Sequence, residues 1–203
     1  MNPEPVDWRR RYEDRDTPWD LGGPHPELAA RLARGGLLPA GSPTRAGQGP
    51  RALVPGCGRG HDALALARAG FRVTAVDLVD ATGGVLGREL ERLGGELRVE
   101  DALRHRGAYD VLFEHTFFCA LDPEQRGAWG LLARENLVPG GKLWALVFPV
   151  GKPAAEGGPP FATAVEDLAR VLPGFSLCVD VPAGARAPKR SWAERWAEFE
   201  RLS

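Results

Sequence analysis

Lysine is nearly missing from this chain of 203 residues: of 26 basic residues only Lys142, Lys152 and Lys189 are lysine. With Ala, Gly, Leu and Pro plentiful, that habit reads as GC-rich coding bias. The arginine preference is at most a slight pointer to a thermophile. Cysteine is scarce as well. Cys57, Cys119 and Cys178 are odd in number and far apart, which excludes a disulfide framework and zinc-ligand spacing. Histidines 25, 61, 105 and 115 show no metal spacing either. An excess of one charge is absent: the formal net charge is −1, so no broad field points to nucleic acid or membrane. No apolar run approaches the roughly 18 residues of a membrane-spanning helix. The opening "MNPEPVDWRRRYEDRD" is charged and lacks an apolar h-region. It is not expected to be a signal peptide, and the protein is expected in the cytoplasm.

What is present is an ordinary globular composition, with 43% hydrophobic and 26% charged residues. The length suits one domain with a sizeable core. Residues 1–47 read as an N-terminal cap and 48–203 as the main body. In the cap, Trp8 and Tyr12 at i, i+4 share one face of a short helix. A second helix begins near Pro26 and stops at Gly35-Gly36. The small and turn residues of "AGSPTRAGQGP" (40–50) form the joint.

From there strands and helices alternate. "RALVPG", "FRVTAVDL", "GELRVED", "YDVLFEHTFF", "GGKLWALVFP" and "FSLCVDVP" read as strands. Between them, "GHDALALARAG", residues 81–94, "DPEQRGAWGLLARENL" and "FATAVEDLARVL" read as helices, with "GKPAAEGGPP" a loop. Asp122 is the expected N-cap of the third, with Pro123 at N1 and Gln125 at N3. Such alternation predicts an α/β fold: a doubly wound, mostly parallel sheet with helices on both faces. The tail "SWAERWAEFERL" is open between two forms. Ser191 and Glu194 spell a capping box and a helix, whereas sheets of this type often close with an antiparallel edge strand.

The first strand runs into Gly56, Cys57, Gly58, Arg59 and Gly60. Glycine lets the backbone turn sharply and approach a ligand closely, and in an open α/β sheet ligands bind beyond the strands' carboxyl ends. A tight turn alone also needs glycine. Asp77, 21 residues after Gly56, ends the next strand and is either a strand-end acid or the acceptor for a ribose diol. A phosphate cradle would want Lys-Ser/Thr after the loop, and none is present. A dinucleotide fingerprint would want glycine at position 61, where this chain has His61. S-adenosylmethionine, with no phosphate, suits the loop better. Asp101 and Ala102 follow the third strand and can meet an adenine; Asp101 can equally be a turn acid.

At these residues the chain resembles class I S-adenosylmethionine methyltransferases. More closely, it resembles the thiopurine S-methyltransferase superfamily in its thiol/halide methyltransferase branch. The likeness is carried in order by "TPWDLGGPHPEL" (17–28), "RALVPGCGRGHD" (51–62), "AVDL" (75–78), "FFCALDPEQRGAW" (117–129), "LVPGGKLWALVFP" (137–149) and "GGPPF" (157–161). It implies a seven-stranded Rossmann-like domain with S-adenosyl-L-methionine as cofactor. By the same likeness Trp8, Tyr12 and Trp19 fold over the cofactor, Gly56 and Gly58 meet it, Asp77 takes the ribose, Asp101 and Ala102 the adenine. His115 then sits near the methionine part. Two positions depart from the pattern: Tyr12 stands where relatives often carry Trp, and His115 where they carry Tyr or Arg.

The chemistry agrees with the likeness. A sulfonium cation is attracted to aromatic faces, at roughly 0.5–2 kcal/mol each; Trp8, Tyr12 and Trp19 serve that, or pack the cap onto the body, or both. Phe117 and Phe118 either wall the transfer site or fill the core. Methyl transfer from a sulfonium is an in-line displacement in which positioning and water exclusion supply most of the acceleration. A thiol is already partly ionised near neutral pH, and a halide needs no base. His115 is the histidine placed for proton removal, or else a structural residue. Cys119, with Cys57 and Cys178, reads as a small buried hydrophobe. Arg186 is either a solvated arginine or an attractor for an anionic acceptor.

The expected activity is methyl transfer to a small soft nucleophile: a thiol, hydrosulfide, halide or thiopurine-like compound. Other small acceptors (a tellurite-like oxyanion, a nitrogen or oxygen nucleophile) keep the fold and change the substrate. A nicotinamide-dependent oxidoreductase and a cofactor-binding sensor are the rival classes. The only partner expected is the small-molecule acceptor, with no nucleic acid or membrane, and the chain is expected to be a monomer or weak homo-oligomer.

Overall fold

The computed structural model describes residues 6–35, 37, 49–188 and 190–203; most of the anticipated joint, residues 38–48, lies outside them. Trp8–Glu13 forms α1, where Asp7 caps the start by accepting from the Arg10 N–H. Pro26–Arg34 forms α2. Its proline sits in the first turn, where its missing N–H costs nothing, and Gly35 ends it in the left-handed region at φ 71°. The body runs β1 (Arg51–Pro55), α3 (His61–Arg68), β2 (Arg72–Asp77), α4 (Val85–Arg92), β3 (Glu96–Val99), β4 (Tyr109–His115), α5 (Arg126–Asn136), β5 (Leu137–Val150), α6 (Val165–Val171), β6 (Phe175–Pro182) and β7 (Ala193–Arg201).

Among the described residues the strands form one seven-stranded sheet in the order β3-β2-β1-β4-β5-β7-β6. The pairs from β3 through β5 are parallel, and β7 runs antiparallel to both β5 and β6. Strand order reverses between β1 and β4, so their carboxyl ends frame the crevice where such folds take ligands.

Period-two alternation divides each inner strand between two cores. Ala52, Val54, Val111, Phe113, Trp144, Leu146 and Trp196 face the side covered by α2, α3 and α4. Leu53, Leu112, Leu143, Ala145, Val147 and Phe199 face α5 and α6, where Trp129 is fully buried. The sheet is therefore covered on both faces, as the alternation of strands and helices predicts.

Two expectations change in detail. The tail is a strand, and it is not at the edge: β7 lies between β5 and β6, and β6 takes the edge. Two ladders of hydrogen bonds outweigh the helical spelling of "SWAERWAEFERL". Glu194 is not a capping-box partner; its carboxylate accepts from the Ala187 N–H and from His25 and Arg190. The helix anticipated over 81–94 starts only at Val85. Gly83 and Gly84 hold left-handed φ values of 61° and 84° in the turn before it.

Candidate active site

The turn after β1 is built around left-handed glycines. Gly56 has φ 60°, and a Cβ there would lie 2.6 Å from the Phe117 ring. Gly58 has φ 56°, and its Cβ would face only the Tyr12 hydroxyl at 3.2 Å. One glycine thus lets a β4-side ring close on the turn, and the other lets the cap close on it. The Gly58 N–H donates to Asp77 Oδ2 at 2.8 Å, and the Val79 N–H donates to Oδ1 at 3.2 Å. Asp77 therefore joins the ends of β1 and β2. Burial pushes its carboxyl above the ordinary value, with the two N–H donors opposing. Leu78, beside it, is an exposed apolar side chain.

Over this turn lies the cap. Trp8 and Tyr12 meet the Trp19 ring edge-on, at centroid distances of 5.5 and 5.7 Å. The Arg11 guanidinium stands 4.6 Å over Trp19 and pairs with Asp16 at 2.9 Å. Asp20 reaches from the cap to Arg59 Nε at 2.8 Å and lies 3.3 Å from His61 Nε2. Burial, with Asp77 close by, pushes the Tyr12 phenol well above its usual range.

Between cap and turn is an open cleft, lined among others by Trp19, Asp20, Gly56, Gly58, Asp62, His115 and Thr116. Thr116 is a non-glycine residue at φ 64°, a conformation that costs free energy and recurs at functional sites. Glu114 holds this bend. Its Oε1 accepts from the Phe117 and Phe118 N–H groups, and its Oε2 from the Trp129 indole. Burial pushes the Glu114 carboxyl up to about 7, against those three donors.

At the end of β4, His115 Nδ1 is 2.7 Å from Asp62 Oδ2 and Nε2 is 3.0 Å from Arg190 Nη2. Asp62 Oδ1 also accepts from the His25 N–H at 2.7 Å. Burial opposes charge on Asp62, but His115 and the His25 N–H hold its carboxyl below the ordinary value. Burial draws the His115 imidazole below its ordinary value, with Asp62 opposing.

The first 80 or so residues, 3–83, match the family model described as thiopurine S-methyltransferase. Thiocyanate methyltransferase 1 of Arabidopsis thaliana is 32% identical over 97% of this chain and 85% of its own length. Its Brassica oleracea namesake is 34% identical, covering 91% and 77%. A probable thiol methyltransferase 2 of Arabidopsis thaliana is 34% identical over 81% and 70%. The chain belongs to the thiopurine S-methyltransferase family. It is an S-adenosylmethionine-dependent methyltransferase. Solved folds agree: a Burkholderia thailandensis 1,6-didemethyltoxoflavin-N1-methyltransferase superposes with TM-score 0.71 at 21% identity, covering 97% of this chain and 86% of that one. The NodS N-methyltransferase of Bradyrhizobium japonicum WM9 gives 0.65 at 18% identity, covering all of this chain and 94% of that one.

The residues present fit the family's methyl donor. The Gly58 turn lets backbone come close, Asp20 and Asp62 offer carboxylates to a cationic end, and Trp19 offers a ring face. Of the sequence-chosen residues, Trp19, Gly56, Gly58 and His115 line it together, and Asp77 buttresses it from below. Trp8 and Tyr12 support Trp19. Asp101 and Ala102 sit at the end of β3, where Asp101 accepts from the Leu103 N–H and Ala102 is buried. Phe117 packs on the glycine turn, whereas Phe118 is buried against Trp129 at 4.8 Å. Arg186 is on the surface and donates to the Trp192 carbonyl; the arginine beside His115 is Arg190. Cys119 is buried, and burial with Glu114 nearby pushes its thiol up to about 12.

Asp20, Asp62, Thr116 and Arg190 escaped the sequence reading. The first two stand inside "TPWDLG" and "GRGHD", stretches that carry the family likeness. Nothing local marks the other two.

Proposed function

We propose that this methyltransferase passes the methyl group to a small soft nucleophile, a thiol, hydrosulfide, thiocyanate-like anion, halide or thiopurine-like compound, by direct in-line displacement. The observation that carries this reading is the likeness to thiocyanate methyltransferases over 91% and 97% of this chain, joined by a probable thiol methyltransferase over 81% of it. When bound, the donor supplies an electrophilic methyl on a sulfonium. The chain's part is to hold, orient and keep out water. In this reading Trp8, Tyr12 and Trp19 cover the donor, Gly56 and Gly58 admit it, and Asp77 takes the ribose with its remaining lone pairs. Asp101, Ala102 and the exposed Leu78 meet the adenine. Phe117 and His115 wall the place where the acceptor enters. Residues 1–203 act as a single domain, 1–47 its cap segment and 48–203 its core, in the cytoplasm, as a monomer or weak homo-oligomer. Among the described residues no helix is long and apolar enough to cross a membrane.

The test is a methyl-transfer assay with S-adenosylmethionine across an alkyl thiol, hydrosulfide, thiocyanate, iodide, a thiopurine and a phenol. Turnover of sulfur or halide acceptors with the phenol inert is the expected result. Turnover of only the phenol, or of an amine, would contradict it.

A further inference from the structure

Behind the cleft wall five side chains close a buried chain of polar contacts. His25, Asp62, His115, Arg190 and Glu194 have side chains 0, 16, 9, 8 and 1% exposed. Arg190 Nη1 lies 2.6 Å from Glu194 Oε1, its plane stands 4.3 Å over the Phe148 ring, and Nη2 reaches His115. His25 Nε2 is 3.1 Å from the same Glu194 oxygen.

Donor rules fix the protons. A guanidinium only donates, so His115 Nε2 accepts from Arg190, and the imidazole proton sits on Nδ1, facing Asp62. His25 Nδ1 accepts from the Glu27 N–H, so its proton is on Nε2, facing Glu194. Two carboxylates then face one guanidinium, and the enclosed group is one positive charge short. That surplus negative charge favours a proton on the group, and burial of the His115 imidazole opposes it. The atom placed to take that proton is His115 Nε2, on the residue that lines the cleft.

We propose that His115 and Arg190 form a thiol-activating pair, with Asp62 as the residue that positions His115. This rests on the soft-nucleophile reading above. The acceptor's S–H proton passes to His115 Nε2. The sulfur keeps the bonding pair and becomes a thiolate, and Arg190 Nη2 turns from the imidazole to that thiolate while Nη1 stays on Glu194. The new imidazolium keeps its Nδ1–H on Asp62, with the His25 ring 4.9 Å away as its other neighbour. The buried group is then neutral, and the one net negative charge has moved to the thiolate, where Arg190 donates a hydrogen bond to it. The proton leaves to solvent after turnover. Acceptors that are already anions, such as thiocyanate or iodide, use Arg190 alone.

The experiment uses the whole protein with S-adenosylhomocysteine and an aromatic thiol whose thiolate absorbs at longer wavelength than its thiol. Titrated across neutral pH, the bound thiol is expected to show at least a tenfold higher thiolate-to-thiol ratio than the free thiol at the same pH. Nitrogen NMR of labelled histidine should show His115 gaining a proton as thiolate forms. Asp62→Asn should weaken that proton uptake. Arg190→Lys, which keeps a cation for Glu194, should lower the thiolate excess. A bound thiol that titrates like the free one, or thiolate formed with His115 still neutral, would overturn the pair while leaving the soft-nucleophile reading intact. A thiol that does not bind at all would overturn both.

Discussion

Single side chains carry the sharpest consequences. Asp77 ties the glycine turn to the end of β2 with both oxygens, so its loss acts on the turn as well as on any ribose contact. Asp77→Ala should raise the calorimetric Kd for S-adenosylhomocysteine at least about tenfold, the scale of hydrogen bonds to a charged group. An unchanged Kd would mean that neither role matters. Glu194 makes a second case. Although burial opposes its charge, bonds from His25, the Ala187 N–H and Arg190 lower its carboxyl to about 2. A depressed acid contributes stability above its unfolded value and loses it as pH falls through the folded one. Wild-type stability should therefore fall between about pH 4.5 and 2. Glu194→Gln should cost on the order of 3 kcal/mol near neutrality and flatten that acid limb in denaturant melts. Glu114 has the opposite sign. Raised by burial to about 7, it contributes fully at acid pH and loses that contribution as pH rises through about 7. Glu114→Gln should remove this slope between about pH 4.5 and 7 in urea titrations.

At the scale of elements, the crossing of turn and bend decides what fits. Gly56 admits the Phe117 ring from the bend that Glu114 holds after β4. Gly56→Ala combines a left-handed φ with a ring 2.6 Å away. It should cost about 2 kcal/mol or more in thermal denaturation. Phe117→Ala in the same chain should recover part of that loss; no recovery would show that the strain is in the backbone alone. These elements were legible to different degrees. The strands and helices of the parallel half followed from apolar period and glycine stops, because each is specified by its own residues. The tail did not, since β7 exists only by pairing with β5 and β6, and its local spelling is helical. Similarly, Phe117 and Phe118 are alike in sequence, but Glu114 turns one toward the glycines and leaves the other in the core. Arg186 and Arg190 were indistinguishable as letters. Burial of Glu194 in β7 draws in only Arg190.

Across the whole molecule, the two halves of the sheet divide the work. The parallel half supplies the crevice at the reversal of strand order, between β1 and β4. The antiparallel half brings Arg190 and Glu194 back to the end of β4 from a distance of some 75 residues in the chain. The cap closes the remaining side through Asp20 and Trp19. Motifs made the proposed donor side readable from sequence, because the glycine turn and Asp77 are near each other along the chain. The proposed acceptor side is assembled from remote segments and became visible only in three dimensions. The most direct measurement of the central claim is a crystal structure of the protein with S-adenosylhomocysteine. The account expects density for its adenosyl group between the Gly56–Gly58 turn and Asp77, with the amino acid end toward Asp62. Density for the ligand at any other place on the chain, with this cleft empty, would contradict it.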